Sequence, residues 1–351
     1  MKPAPSSHAS EADRLGARAA ANVCRRTAPD VYFASAFLPR AKRDAAHALF
    51  AFCRLIRDAI DSAGEEAGAA ALRHRPLNVA SMPSNGEASQ GSCCSADPLE
   101  QRLSLLRDRL DDLYAGQLEL PAPAARSEEQ HVLHAFSAAE ARYQIQRQDL
   151  LDFARGCGIG LTVRRYATWA SLERDCRLAG GAAARAAASV LGVTHSGAGD
   201  YATQAGVAIR LTSLLCQLKA DVGQGRVYLP LEDLAQFRYA ERELAADVAS
   251  ENFRRLMQFE IERARRLYDE AAGGLRWVVN DGSRLAAAIL LARHMALLDA
   301  IKRQGYDVFS KPPVLTRAQR LRALPLAWRL ARGGSGRGST SPGVAPTAAA
   351  S

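Results

Sequence analysis

Residues 50–61 read FAFCRLIRDAID, and the segment around them decides the fold. Across 43–61, Leu49, Phe52, Ile56 and Ile60 recur at helical spacing and form one apolar stripe. The opposite face carries Arg54, Asp58 and Asp61 at i, i+4 and i+7, with Arg57 one turn before Asp61. A second segment, 204–221, has the same design. Val207, Leu211, Leu214, Leu215 and Leu218 are apolar, while Arg210, Ser213, Gln217 and Asp221 share the other side. It runs into GRVYLP, 225–230, where glycine and proline stop the helix. Such polar stripes can be solvated faces laced by salt bridges. Their strongly apolar flanks point instead to central helices whose polar sides line a site.

Composition supports an all-α protein. The 351 residues are 48% hydrophobic but only 6% aromatic, and alanine, leucine and arginine dominate, the residues that lose least on entering a helix. Helices are expected at 43–61, 98–116, 128–155, 169–191, 204–221, 241–274 and 283–303. The small-residue run RLAGGAAARAAASVLG, 177–192, predicts close helix packing. Residues 1–20 read as a flexible amino terminus, 21–332 as one domain, 74–98 as a disordered insertion and 333–351 as a disordered tail.

No apolar run approaches the roughly 20 residues that span a bilayer. The amino-terminal stretch has no apolar centre and carries Glu11 and Asp13, so a cytoplasmic protein is expected. The seven cysteines read as small apolar residues in a reducing compartment; adjacent Cys93 and Cys94 have no second pair at zinc spacing. A net charge of +9 admits an anionic membrane or a diphosphate as partner. No nucleic-acid module is recognisable, and none is expected as partner.

The segment YFASAFLPRAKRDAAHALFAFCRLIRDAID, 32–61, resembles the first signature of squalene and phytoene synthases. AGVAIRLTSLLCQLKADVGQGRVYLPLEDL, 205–234, resembles their second. LTVRRYATWASLERDCRLAGGAAA and HMALLDAIKRQGYDVFSKPPVL are similar to their middle and late segments, so the likeness runs over roughly 28–330 in the same order. It implies a terpenoid-synthase (isoprenoid synthase) helical bundle around a central apolar cavity. In active members of such a family, aspartates on two facing helices hold Mg²⁺, which clamps prenyl diphosphates for head-to-head condensation; NADPH enters only a squalene-type reaction. Hard oxygen ligands suit Mg²⁺, and neutralised pyrophosphate leaves more readily.

Against that pattern both leading carboxylates are replaced, by Arg57 and Gln217. Asp58, Asp61 and Asp221 remain as metal candidates, and with Tyr166 as the catalytic candidates. Arg54, Arg165, Arg226 and Tyr228 are also retained, whereas Ala28, Asp30, Gly160, Met295 and Lys311 stand where the family pattern has other residues. One unit charge at 4 Å is worth about 4 kcal/mol at an effective dielectric near 20, so Arg57, with Arg210 and Lys219 opposite, disfavours a metal cluster. Arg54, Arg57, Arg210 and Arg226 can instead bind diphosphate directly. A rival reading has Arg57 merely salt-bridging Asp61.

The expectation is an isoprenoid-binding relative with Mg²⁺-dependent condensation lost or reduced. Two alternatives stand beside it: an active prenyltransferase with fewer metal ligands, and a non-catalytic assembly or regulatory partner of an intact synthase paralogue. The basic, apolar segment VLTRAQRLRALPLAWRLAR, 314–332, is read either as a helix on a membrane surface or as one docked on the body.

Overall fold

In the computed structural model, which describes residues 10–73 and 98–333, every long element is a helix. In chain order these are α1 (Glu11–Thr27), α2 (Pro29–Ser35), α3 (Arg40–Arg73), α4 (Pro98–Tyr114), α5 (Glu128–Tyr143), α6 (Arg147–Thr162) and α7 (Trp169–Cys176). A π-helical turn, Arg177–Gly181, joins α7 to α8 (Ala182–Leu191). Then come α9 (Ala198–Gly223), α10 (Leu231–Gln236), α11 (Glu241–Ala245), α12 (Glu251–Gly273), α13 (Ser283–Arg303), α14 (Arg317–Arg322) and α15 (Leu324–Ala331). Several starts are fixed by reciprocal caps, Ser10 with Asp13, Ser127 with Gln130 and Thr316 with Gln319, each worth about 1 kcal/mol.

Both apolar stripes are buried as expected. On α3, Leu49, Phe52, Ile56 and Ile60 join a core with α1, α4, α5, α6 and α8, and Phe52 stacks on Phe136 with ring centroids 4.1 Å apart. On α9, Val207, Leu211, Leu214, Leu215 and Leu218 pack into a second core with α12 and α13. There Thr212 and the Tyr268 hydroxyl share a 2.9 Å hydrogen bond. Each such side chain contributes about 1.5–3 kcal/mol on burial.

The cores are joined where side chains vanish. A Cβ on Gly206 of α9 would lie 2.1 Å from the Gly180 carbonyl oxygen, and one on Gly156 of α6 would lie 2.4 Å from the Ala179 nitrogen. Helix α6, the π turn and α9 therefore meet backbone to backbone, the close packing that the small-residue run predicts. The extra residue of the π turn lets Gly180 and Gly181 both face α9. Two polar clusters tie other elements of the bundle together. Arg263 of α12 binds Asp233 at 2.7 Å and Glu260 at 2.8 Å, held between the rings of Trp169 and Phe259 at 4.5 and 4.6 Å. Lys42 of α3 binds Asp281 at 2.9 Å and also reaches the Leu191 carbonyl and Ser283, tying α3, α8 and the start of α13 together.

Several boundaries differ from the sequence reading. The stretch 1–20 is not flexible throughout: α1 begins at Glu11, and its Gly16 and Ala20 are buried. The single helix expected over 128–155 is two, because Gln144 turns left-handed at φ 50° and its N–H closes on Glu140. The helix expected over 241–274 is likewise broken, at Asp247 with φ 53°, and restarts when Ser250 caps α12. The insertion read at 74–98 lies outside the described residues except Pro98, which opens α4, and the tail does so beyond Gly333.

Candidate functional site

Helix α3 presents Arg54, Arg57, Asp58 and Asp61 beyond its buried stripe. Arg54 grips Asp58 with both ends of its fork, Nη2 to Oδ1 at 2.6 Å and Nε to Oδ2 at 3.0 Å. The pairing of Arg57 with Asp61 that helical spacing offers does not form. The Arg57 guanidinium lies instead 5.8 Å from the centroid of Phe153 on α6. From there its charge acts on the thiols of Cys53 and Cys157.

Helix α9 supplies the opposite wall. Arg210 lines a narrow cavity with Gly160, Tyr166, Asp175, Cys176 and Tyr228, about 10 Å³ in volume, room for one water. Its charge acts on Cys157, Cys176, Asp221 and Tyr228. Burial raises the Asp221 carboxyl above the ordinary 3.8, and Arg210 and Arg226 oppose the rise. Gln217 shares this helical face and is exposed. Lys219 does not belong to the site: it binds Asp247 at 2.8 Å and donates to the Phe309 carbonyl at 2.9 Å. Its contribution to the positive field expected here is withdrawn.

Cys157, one turn beyond Phe153 on α6, is where the two stripes meet. Burial pushes its thiol up; Arg57 and Arg210 pull it down, and Asp61 pushes it up again. Thus charges carried by α3 and by α9 both act on one position of α6. The floor is aromatic. The Tyr228 hydroxyl donates to the Gly160 carbonyl at 2.7 Å, and the Tyr166 ring lies 5.9 Å from that of Tyr228. Burial, then the neighbouring Asp175 carboxylate, drive the Tyr166 phenol far above its ordinary range, so it stays protonated. Arg226 reaches the same end of α9, and its Nε is buried with no hydrogen-bond partner among the described residues. The Arg226 guanidinium acts on the Asp221 carboxyl and on the neighbouring Tyr228 phenol, pulling both downward against burial.

This architecture and sequence have known counterparts. Residues 24–319 match the family model for squalene/phytoene synthase. The chain belongs to the squalene/phytoene synthase family. It is 28% identical to a 15-cis-phytoene synthase of Synechococcus elongatus, with 87% of this chain and 90% of that protein covered. A 15-cis-phytoene synthase of Synechocystis is also 28% identical, with 87% and 83% covered. Among solved structures, a dehydrosqualene synthase in complex with ligand is similar in fold, with a TM-score of 0.74 and 19% identity over 92% of this chain and 98% of that one. A squalene synthase of Alicyclobacillus acidocaldarius gives 0.64 and 21%, over 85% and 99%.

The positions that depart from the family pattern have definite places. A Cβ on Gly160 would meet nothing within 4 Å, so that position is open. Met295 packs against the second core. Asp30 binds Arg293 at 2.6 Å, and retained Arg165 binds Glu241 at 2.8 Å. Among the described residues, the site does not offer the carboxylate set of the expected Mg²⁺ cluster. Among the described residues no three Asp, Glu, His or Cys side chains gather to hold a metal ion, Asp58 is occupied by Arg54, and Gln217 offers a neutral amide. Sequence reasoning missed Cys157, Asp175 and the Gly160 carbonyl. None stands on the two striped helices, and nothing in their local pattern distinguishes them from core or solvated residues.

Proposed function

We propose that the protein binds a prenyl diphosphate between α3, α6 and α9 through its arginines, and that Mg²⁺-dependent head-to-head condensation is lost or much slowed. One observation carries this reading: four guanidinium groups, Arg54, Arg57, Arg210 and Arg226, share the site with four carboxylates, Asp58, Asp61, Asp175 and Asp221, and one of those four is already clamped by Arg54. Arg57 and Arg210 make no ion pair among the described residues, which leaves their guanidinium groups available to bind a diphosphate directly. The unpaired Arg226 Nε supplies a donor at the end of α9 where a phosphate oxygen would sit. The family and the likeness to phytoene synthases favour a prenyl chain as the apolar part of the ligand. Because the cavity beside Arg210 holds only about 10 Å³, entry of that chain requires side chains to move aside.

The test is turnover. Purified protein incubated with farnesyl or geranylgeranyl diphosphate, Mg²⁺ and NADPH is expected to yield no squalene-type or phytoene-type product, or only a trace. Product at ordinary enzyme rates, about 1 s⁻¹ or more, would overturn the reading in favour of a working synthase that uses Asp58, Asp61 and Asp221. Arg57→Asp should raise any trace activity by at least tenfold, since it restores a carboxylate at the leading position. An unchanged rate would remove Arg57 from the metal position.

A further inference from the structure

The carboxyl-terminal helices present a surface that the site does not use. After Asp307 the sequence contains no acidic residue, yet it holds Lys311 and six arginines between Arg317 and Arg337, against a net charge of +9 for the whole chain. Most of the protein's excess positive charge is therefore concentrated in one end.

The structure shows how that end is laid down. Ala323 closes α14 and opens α15 in the right-handed helical region, so 317–332 run as one nearly continuous helix, eased where Pro325 withholds its N–H. Ala323 and Ala327 are buried, and Leu324, Leu326 and Leu330 pack against the second core. The opposite side is Arg317, Leu321, Pro325, Trp328 and Arg332, at helical spacing and all exposed. Val314, Leu321 and Trp328 are 60%, 59% and 52% exposed. Of the large apolar side chains described, only Leu105 is comparably uncovered, at 58%. The Arg332 guanidinium sits over the Trp328 ring, 3.3 Å from its centroid, and exposed Arg322 and Arg329 flank the face.

We propose that this outer face docks the protein peripherally on an anionic lipid bilayer. Solvent alone gives no reason to hold Leu321 and Trp328 outward, and a bilayer interface does. Tryptophan is favoured at the headgroup level, leucine enters the acyl boundary, and arginine stems lie along apolar surface while their heads reach lipid phosphates. Each basic residue near an anionic surface strengthens binding roughly fivefold, an effect that salt suppresses. No described helix is long and apolar enough to cross a membrane, so docking would be on the surface.

The full chain is mixed with vesicles of equal phosphatidylglycerol and phosphatidylcholine, or of phosphatidylcholine alone, and sedimented. The expected result is partition with the anionic vesicles at low salt, falling at least tenfold in 0.5 M NaCl and at least tenfold on neutral vesicles. Leu321→Ser with Trp328→Ser should lose at least tenfold, and Arg322→Glu with Arg329→Glu, which leaves the buried side intact, should lose as much. Both variants should keep the helical circular dichroism and diphosphate affinity of the parent, because neither pair lies near Arg57 or Arg210. Protein that stays in solution with anionic vesicles, binds both vesicle types alike, or binds unchanged in either variant would overturn the proposal. Binding to duplex DNA but not to vesicles would also overturn it, assigning the charge to nucleic acid.

Discussion

Arg210 shows why charge rather than residue count governs this site. It stands on α9 within reach of Cys157, Asp221 and Tyr228, and it lines the cavity directly. A hydrogen bond from a charged donor contributes about 1.5–3 kcal/mol, so Arg210→Ala should weaken binding of a prenyl diphosphate at least tenfold by calorimetry. The unfolding midpoint should hold, since Arg210 makes no ion pair among the described residues that its loss would strand. Unaltered affinity would mean that diphosphate does not lie against α9. At this scale the sequence was partly readable. Arg54, Asp58, Arg57 and Arg210 fell on predictable helical faces, but which arginine takes which carboxylate did not follow. Arg54 and Asp58 pair as their i, i+4 spacing offers, whereas Arg57, which spacing set beside Asp61, lies instead near the ring of Phe153 on another helix. Lys219 was misplaced for the same reason: Asp247, far along the chain, captures it.

At the scale of elements, the joint of α6, the π turn and α9 sets the distance between the two arginine-bearing walls. Gly206→Ala would place a Cβ 2.1 Å from the Gly180 carbonyl oxygen, a clash of backbone that no side-chain rotation relieves. Stability should fall by about 3 kcal/mol, read as a lower denaturant midpoint, and diphosphate affinity should fall with it as the walls part. Gly160→Ala, which meets nothing within 4 Å, is the matched control and should leave stability within about 1 kcal/mol. The run of small residues announced close packing, and the buried stripes of α3 and α9 were legible residue by residue. The breaks at Gln144 and Asp247 were not. Both are non-glycine residues in the left-handed region, and without glycine or proline there is no local signal to end a helix. Helix α1 was partly lost because its polar, alanine-rich run buries only small residues, Gly16, Ala20, Val23 and Cys24.

For the whole molecule, the two cores account for the all-α bundle, and a few polar pins fix how they close. Lys42 links α3 to α8 and to the start of α13 through Leu191, Asp281 and Ser283. Partial burial raises the Asp281 carboxyl, but hydrogen bonds from Ser283 and Lys42 outweigh it and bring the group down to about 2 from the ordinary 3.8. A carboxyl held lower in the folded state stabilises above its unfolded value and loses that contribution as pH falls. The pin should therefore weaken between pH 4 and 2. Asp281→Asn should cost about 1 kcal/mol at pH 7, after discounting for a partly solvated carboxylate, and should flatten the acid limb of a stability–pH curve. A variant that loses stability as steeply as the parent below pH 4 would exclude the pin. The family was legible from the ordered signatures across the chain, because they record the helices that build the bundle. Its chemistry was not, since activity turns on how a few charges compensate one another in three dimensions.

The most direct test of the arginine site is a calorimetric titration of a non-hydrolysable geranylgeranyl diphosphate analogue into the protein, once in EDTA and once in millimolar Mg²⁺. Direct binding by Arg57, Arg210 and Arg226 predicts saturable binding in EDTA, with affinity within about threefold of that in Mg²⁺, under half a log unit or about 0.7 kcal/mol. Binding seen only with Mg²⁺ would contradict it and return the site to metal-assisted chemistry.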